Sequence, residues 1–417
     1  MNYLTLTASE KQKLLAEMRE RMNLYVQKGL KLDMSRGKPS KDQLDLSNGL
    51  YKELDPALGY VGKQDYRNYG INDGIPEIKK LFAELAGVGE NEIIVAYNAS
   101  LNLMYDSVQR AMQFGVSGCE PWNKQGKIKW ICPVPGYDRH FSVTELFGIE
   151  MINVDMKDDG PDMDKVEELI KDPSVKGMWN VPKYSNPTGV VYSDAVVERL
   201  AKMKPAAPDF RLMWDNAYMV HALYEQREQA NILALAKKYG NEDMIYGFGS
   251  TSKITFAGAG VAFMYSSEKN IAEIKKQMNI QSIGPDKMIQ LAHYRFLKSV
   301  DGIYALMEKH AAIMRPKFEA VIEILEEELG DTGIAKWTKP EGGYFISVEL
   351  MPGTAKKTVA LAKEMGVVFT GAGATYPYKK DPNDSNLRIA PSLPPIDELV
   401  EATHIFAVAA KIAYLSE

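Results

Sequence analysis

Lys253 lies in the stretch GSTSKITFAGAG (249–260), among hydroxyls, small side chains and glycines. Lysines ordinarily occupy charged, solvated faces. Here almost nothing nearby could cover the amine, and the backbone could come close to another molecule. Other residues able to do chemistry also follow short apolar runs. Asn186 lies in YSNPTG after MWNV, and Asp215 and Tyr218 lie in WDNAY at the end of FRLM. Ser250 and Ser252 follow MIYGF, Tyr137 and His140 follow WICPVPG, and Asn98, Ala99 and Ser100 follow EIIVAY and open a helical run. Taken singly, each has an ordinary explanation: a turn for Asn-Pro-Thr-Gly, a helix cap for Asp215, a solvated loop for Lys253. The NAS segment is a plausible helix start, and a helix start can bind an anion.

Positioning these groups needs a particular architecture. From about 75 to 270, the runs EIIVAY (92–97), KIKWICPV (127–134), KGMWNV (176–181), FRLMWDNAY (210–218), DMIYGF (243–248) and AGVAFMY (259–265) read as strands. Helical patterns over 101–114, 163–171 and 194–203 lie between them. This alternation predicts an α/β fold with a mainly parallel sheet covered by helices on both faces. Such sheets bind ligands beyond the carboxyl ends of their strands, and five strand ends deliver the polar groups above to one edge. Residues 8–28 predict an amphipathic helix with Ser9 as its cap, and MSRGKPSKDQLDLSNGL (34–50) reads as loop. Two or three long helices are expected over 267–329. GGYFISVEL, VVFT and LRIAPS, with helices over 353–365 and 394–415, predict a smaller α+β domain. The expected division is an N-terminal segment (1–50) contributing to the small domain, a large domain (51–300) and a small C-terminal domain (301–417).

Composition narrows the function classes. The chain has 417 residues, 45% hydrophobic and 25% charged, with a net charge of −5. No basic excess points to nucleic acid or a membrane surface. Two cysteines, Cys119 and Cys132, are too few for a disulfide scaffold or zinc cluster and fit a reducing cytoplasm. Five histidines without an HExxH-like spacing give no sign of a catalytic metal.

Taken in order, Tyr69 before GIPEIKK, then NAS, PGYDRH, NPTG, DNAY and STSK resemble the class I aminotransferases, pyridoxal-phosphate (PLP) enzymes of fold type I. The resemblance runs from about residue 35 to Arg388, and SRGKPS, LMYD and SKITFAGAGV are similar to the aspartate aminotransferase subgroup Ic. It implies a large domain with a seven-stranded, mainly parallel sheet and a smaller α+β domain. It further implies that Lys253 holds the PLP aldehyde as a Schiff base and then moves the substrate Cα proton. Asp215 would pair with the pyridinium nitrogen, and His140 would hold Asp215. Tyr218 and Asn186 would bond the ring oxygen, and Tyr137 would stack on the ring. Ala99, Ser100, Ser250 and Ser252 would cradle the phosphate, with Tyr69 reaching the phosphate of the neighbouring subunit in a homodimer. Arg388 would fork onto the substrate α-carboxylate.

Two positions depart from the pattern. The family commonly places a phosphate-gripping arginine eight residues after the lysine, where this chain has Val261. Either a cation from elsewhere takes over, or the serines and the helix start suffice. Arg36, beside Gly37, stands at a position often apolar in relatives, facing the substrate side chain. An arginine there suits the distal carboxylate of aspartate, glutamate or 2-oxoglutarate, with Arg139 and Lys183 as rivals. The expected reaction is transamination between L-aspartate and 2-oxoglutarate by a ping-pong mechanism. A transaminase for alanine or aromatic amino acids, or a PLP β-lyase, would use the same constellation. Regulators with an aminotransferase-like sensor need a DNA-binding extension, and about 35 residues before the first motif are too few for one.

Overall fold

A computed structural model describes all residues from 1 to 417. The central sheet is built from β1 (Ile93–Val95), β2 (Lys129–Val134), β3 (Glu150–Lys157), β4 (Val175–Asn180), β5 (Arg211–Asp215), β6 (Ile245–Ser250) and β7 (Ala262–Tyr265). Their spatial order is β1-β7-β6-β5-β4-β2-β3. β7 runs antiparallel to both of its neighbours, and the other pairings are parallel. Gly160–Pro161 adds a two-residue antiparallel extension beyond β3, an eighth member not foreseen from sequence. β4 and β5 are buried along their whole lengths, as strands covered on both faces must be.

Register aligns the functional ends of the strands. Asn180 pairs with Trp214, and Phe248 pairs with Asp215. The polar residues after β4, β5 and β6 therefore emerge from one edge. Each neighbouring parallel strand needs a crossover helix, and its turn back onto the sheet leaves this edge open.

Other elements differ from the sequence reading. β3 was not anticipated: it lies at the sheet margin, its burial alternates, and it carries no continuous apolar run. Helix α1 (Ala8–Lys28) has the expected span but is capped by Thr7, not Ser9. Thr7 Oγ1 accepts from the Glu10 N–H at 3.3 Å, and the Glu10 carboxylate accepts from the Thr7 N–H at 2.8 Å, a reciprocal capping box. The stretch read as loop contains a short helix, Lys41–Asp45, with the Gln43 side chain accepting from the Ser40 N–H at 3.0 Å.

Among the remaining helices, α2 (Ser100–Phe114) and α3 (Asp138–Leu146) follow β1 and β2, and α4 (Glu268–Gln281), α5 (Lys287–Leu297) and α6 (Val300–Leu329) follow the sheet. The end of the chain contributes β8 (Ala335–Trp337), β9 (Ile346–Leu350), α7 (Ala355–Glu364), β10 (Asn386–Ile389) and α8 (Ile396–Leu415). β8, β9 and β10 form an antiparallel sheet, and α1, α6 and α7 pack against α8. α8 is apolar around most of its circumference because it is enclosed on several sides. Tyr3, Met18 and Met34 share its hydrophobic core, and Leu32–Asp33 pairs in parallel with Val367–Val368, so both ends of the chain meet. α6 spans two cores: Ile303, Leu306 and Met307 pack with the central sheet, whereas Met314, Phe318 and Val321 pack with α8.

Candidate active site

Asp215, the last residue of β5, is 2% exposed. Its Oδ2 lies 2.9 Å from His140 Nε2, while its Oδ1 is buried without a hydrogen-bond partner. His140, on α3, stacks on Trp179 at 4.4 Å with 13° between the planes, and Tyr137 meets its edge at 4.9 Å. Trp179 is fixed in turn by its Nε1–H, donated to Thr144 Oγ1 at 2.8 Å. The carboxylate is therefore held from behind while one oxygen has nothing to bind. An unmet acceptor of this kind costs about 1–3 kcal/mol or more, and a cationic N–H is the group that would satisfy it.

Lys253 sits in the loop after β6, its Nζ 4.9 Å from the centre of the Tyr218 ring. Burial lowers the pKa of its amine, and the Asp215 charge acts in the opposite direction. A less strongly protonated amine is a better nucleophile and base. Burial raises the Tyr137 and Tyr218 phenols, which remain protonated hydrogen-bond donors. Ser250 donates to Ser252 Oγ at 3.1 Å, and Ser252 Oγ reaches the Asn98 carbonyl at 3.4 Å. That contact brings the lysine loop against the start of α2. Ala99 is the cap of α2 and offers no side-chain acceptor, so the first N–H groups at Ser100 and beyond are left for a ligand.

Arg388, on β10, is 7% exposed. Its Nη1 donates to Asn186 Oδ1 at 3.1 Å and pairs with Asp138 at 3.2 Å, and its guanidinium lies 4.6 Å from the Phe345 ring centre. Its Nε has no partner. Gly37 packs against the same ring: a Cβ there would come within 2.1 Å of Phe345, so only glycine lets the 36–37 segment approach. The structure thus brings Gly37 and Arg388 together on the Phe345 ring, with Asn186 bonded directly to Arg388. The motif pattern does not single out Asp138, Trp179, Thr144 or Phe345, because their roles are expressed only through neighbours distant in sequence.

The remaining candidates are placed differently. Arg36 and Arg139 are exposed and form no ion pair. Lys183 is buried and donates to the Met219 carbonyl at 3.0 Å, and burial lowers its pKa to about 8. It lines a separate cavity of 540 Å³ with Asn216, Gln226 and Tyr304. Val261 is 1% exposed, and its N–H donates to Thr251 Oγ1 at 2.9 Å, so this position serves the core. A cavity of 340 Å³ beside Asn98 and Gly260 is lined by no lysine or arginine. Tyr69 is 81% exposed and stands outside the residues gathered within this chain.

The sheet order, with a lysine after β6 and a buried carboxylate ending β5, is that of the fold type I aminotransferases. The chain belongs to the aspartate aminotransferase family, whose model, described as Aspartate amino-transferase, matches residues 6–417. It is 50% identical over 382 residues to an aspartate aminotransferase of Corynebacterium glutamicum, covering 89% of this chain and 87% of that one. It is 50% identical over 392 residues to a putative aminotransferase of Mycolicibacterium smegmatis, covering 93% and 92%. A crystal structure of an aspartate transaminase from Corynebacterium glutamicum superposes with a TM-score of 0.95 at 46% identity, covering 100% of this chain and 99% of that one. The chain is an aminotransferase, and no helix in it is long and apolar enough to cross a membrane.

Proposed function

We propose that this aminotransferase binds PLP through Lys253 and exchanges the amino group between L-aspartate and 2-oxoglutarate in a ping-pong cycle. The observation that carries the cofactor reading is Asp215, with one oxygen held by His140 and the other buried without a partner. The residues present fit PLP. Asp215 Oδ1 would take the ring N–H, Asn186 and Tyr218 the ring oxygen, and Tyr137 the ring face. The start of α2 at Ala99 and Ser100, with Ser250 and Ser252, would take the phosphate. When bound, PLP supplies the electron sink that stabilises the carbanion left by loss of the substrate Cα proton.

The protein's part is to bind, orient and move that proton. Arg388 would take the α-carboxylate in a bidentate grip, using its unpartnered Nε and displacing part of its present pairing with Asn186 and Asp138. Lys253 Nζ, with its lowered pKa, would carry the proton at Cα. Arg36 would take the distal carboxylate, because it borders Gly37 on the Phe345 side of the site and has no internal partner. The name of the relative at 50% identity supports aspartate as the donor. Transamination of alanine or aromatic amino acids and β-lyase chemistry remain competing outcomes for the same groups. The exposed Tyr69 supports a homodimer in which it completes the neighbouring site. The smaller unit would comprise 1–50 with 301–417 against 51–300, with α6 crossing between them, and the protein would work in the cytoplasm.

Borohydride reduction of the PLP-loaded protein, followed by peptide mass spectrometry, tests the attachment. The cofactor mass belongs on the peptide containing Lys253; its appearance on another lysine, or on none, rejects this reading.

A further inference from the structure

Four of the five histidines in the chain gather at the site. His140 is accounted for by Asp215. The other three approach the loop 251–255 from separate elements.

His221, in the segment after β5, places Nε2 3.3 Å from the Lys253 carbonyl oxygen. A carbonyl can only accept, so Nε2 carries the hydrogen and Nδ1 is left as a bare lone pair. That Nδ1 is buried and has no partner. His293, on α5, has Nδ1 2.8 Å from the Ile289 carbonyl, which assigns its hydrogen to Nδ1. Its Nε2 then accepts from the loop hydroxyls, with Thr255 Oγ1 at 2.8 Å and Thr251 Oγ1 at 3.2 Å. Thr251 Oγ1 also receives the Val261 N–H, so the position lacking the family arginine is tied into the same clamp. His310, on α6, has Nδ1 3.1 Å from Gln43 Nε2, leaves Nε2 without a hydrogen-bond partner, and lies beside the Ile254 backbone. Gln43 also donates to the Tyr344 hydroxyl at 3.0 Å, and the Tyr344 ring meets His221 at 5.9 Å.

Burial keeps all three rings uncharged: the His221 pKa falls to about 3, and those of His293 and His310 fall to about 4. Lys253, His310 and Lys183 each disfavour a proton on His221, and the protonated Tyr218 and Tyr344 phenols meet its ring.

We propose that His221 is a positioning residue for Lys253: its Nε2–H fixes the Lys253 carbonyl, and His293 and His310 complete a collar that holds the loop while the amine works. This rests on the reading of Lys253 as the PLP attachment point. Displacement of a reacting group by about 1 Å can cost on the order of 100-fold in rate.

The test compares His221→Leu, which removes the donor, with His221→Gln, whose amide N–H can reach the same carbonyl. In the PLP-loaded protein, His221→Leu should lower kcat about tenfold or more with KM for the amino donor within about twofold. It should raise the isotope effect with α-deuterated donor and shift the pH midpoint of the cofactor's visible absorbance. His221→Gln should recover most of kcat and the wild-type midpoint. Wild-type kcat and midpoint in the leucine variant would overturn the proposal, as would a glutamine variant equally impaired at a wild-type melting temperature. Should either variant fail to fold, nitrogen-15 NMR of the wild-type histidines decides. A bare Nδ1 and protonated Nε2 at His221 supports the proposal, and the opposite tautomer overturns it. Failure of the cofactor reading is distinguishable, since the wild-type protein would then bind PLP without acquiring the Lys253-linked absorbance.

Discussion

Asp215 and Arg36 are both ionisable residues assigned to the candidate site, and the protein treats them in opposite ways. Asp215 is buried at the end of a central strand, takes His140 on one oxygen, and is backed by a stack running through Trp179 to Thr144. Arg36 is exposed, precedes a glycine, and pairs with no carboxylate. The carboxylate proposed to face the cofactor ring is held in place before any ligand arrives, which limits reorganisation there during the reaction. The group proposed to read the far end of the substrate is left loose. On the proposed reading, such a site would exchange amino groups wherever an α-carboxylate meets Arg388, and it would select among amino acids through residues that can be changed without disturbing the frame.

Substitutions can break this contrast at graded cost. Lys253→Ala should reduce turnover by ~1000-fold or more while leaving the protein folded and able to retain PLP non-covalently, as judged by kinetics beside circular dichroism. Asp215→Asn should cost ~100–1000-fold in kcat, because a neutral amide no longer favours a protonated ring nitrogen. If its rate stayed within about threefold of wild type, the pairing assigned to Oδ1 would be wrong. Arg388→Lys should lower kcat/KM about 10–100-fold for every amino acid alike, since an ammonium cannot fork onto a carboxylate. Arg36→Gln should act selectively, with about a tenfold loss for aspartate against little change for alanine, or roughly 1.4 kcal/mol of discrimination. An equal loss for both would move the distal contact to Arg139, Lys183 or the partner subunit.

Acid acts on stability rather than on turnover. His221, His293 and His310 stay neutral in the fold down to about pH 3–4, whereas the unfolded chain protonates them near the ordinary histidine value of 6.5. Their folded pKa values are lowered, so the unfolded state binds more protons as the pH falls below that value. Stability should therefore drop by up to about 1.4 kcal/mol per pH unit for each histidine. Melting curves between pH 7 and 5 would show it, and His293→Asn should flatten the slope.

What the sequence revealed follows the same division. β4, β5 and β6 are enclosed, so they appear as continuous apolar runs, and the reactive residues follow at their ends. β3 alternates at the margin and leaves a much weaker signal. The chemistry-bearing side chains lie in short local motifs, but their supports do not. Phe345 reaches Arg388 from β9's approach, and Gln43 reaches His310 across 267 positions. His221, His293 and His310 stand singly with no spacing to link them, and only the folded loop brings them together. The Thr7 cap, by contrast, is legible as a Thr-x-x-Glu box, two residues before the Ser9 cap expected above.

The central claim is that Lys253 and its buried frame carry out amino transfer from aspartate. A visible-absorbance titration of the PLP-loaded protein with L-aspartate, in the absence of keto acid, tests it directly. The account predicts that the lysine-bound absorbance disappears as aspartate is added and returns when 2-oxoglutarate follows. An absorbance indifferent to aspartate but responsive to alanine, an aromatic amino acid or cystathionine would contradict the substrate assignment. The absence of any lysine-bound absorbance after PLP loading would contradict the site itself.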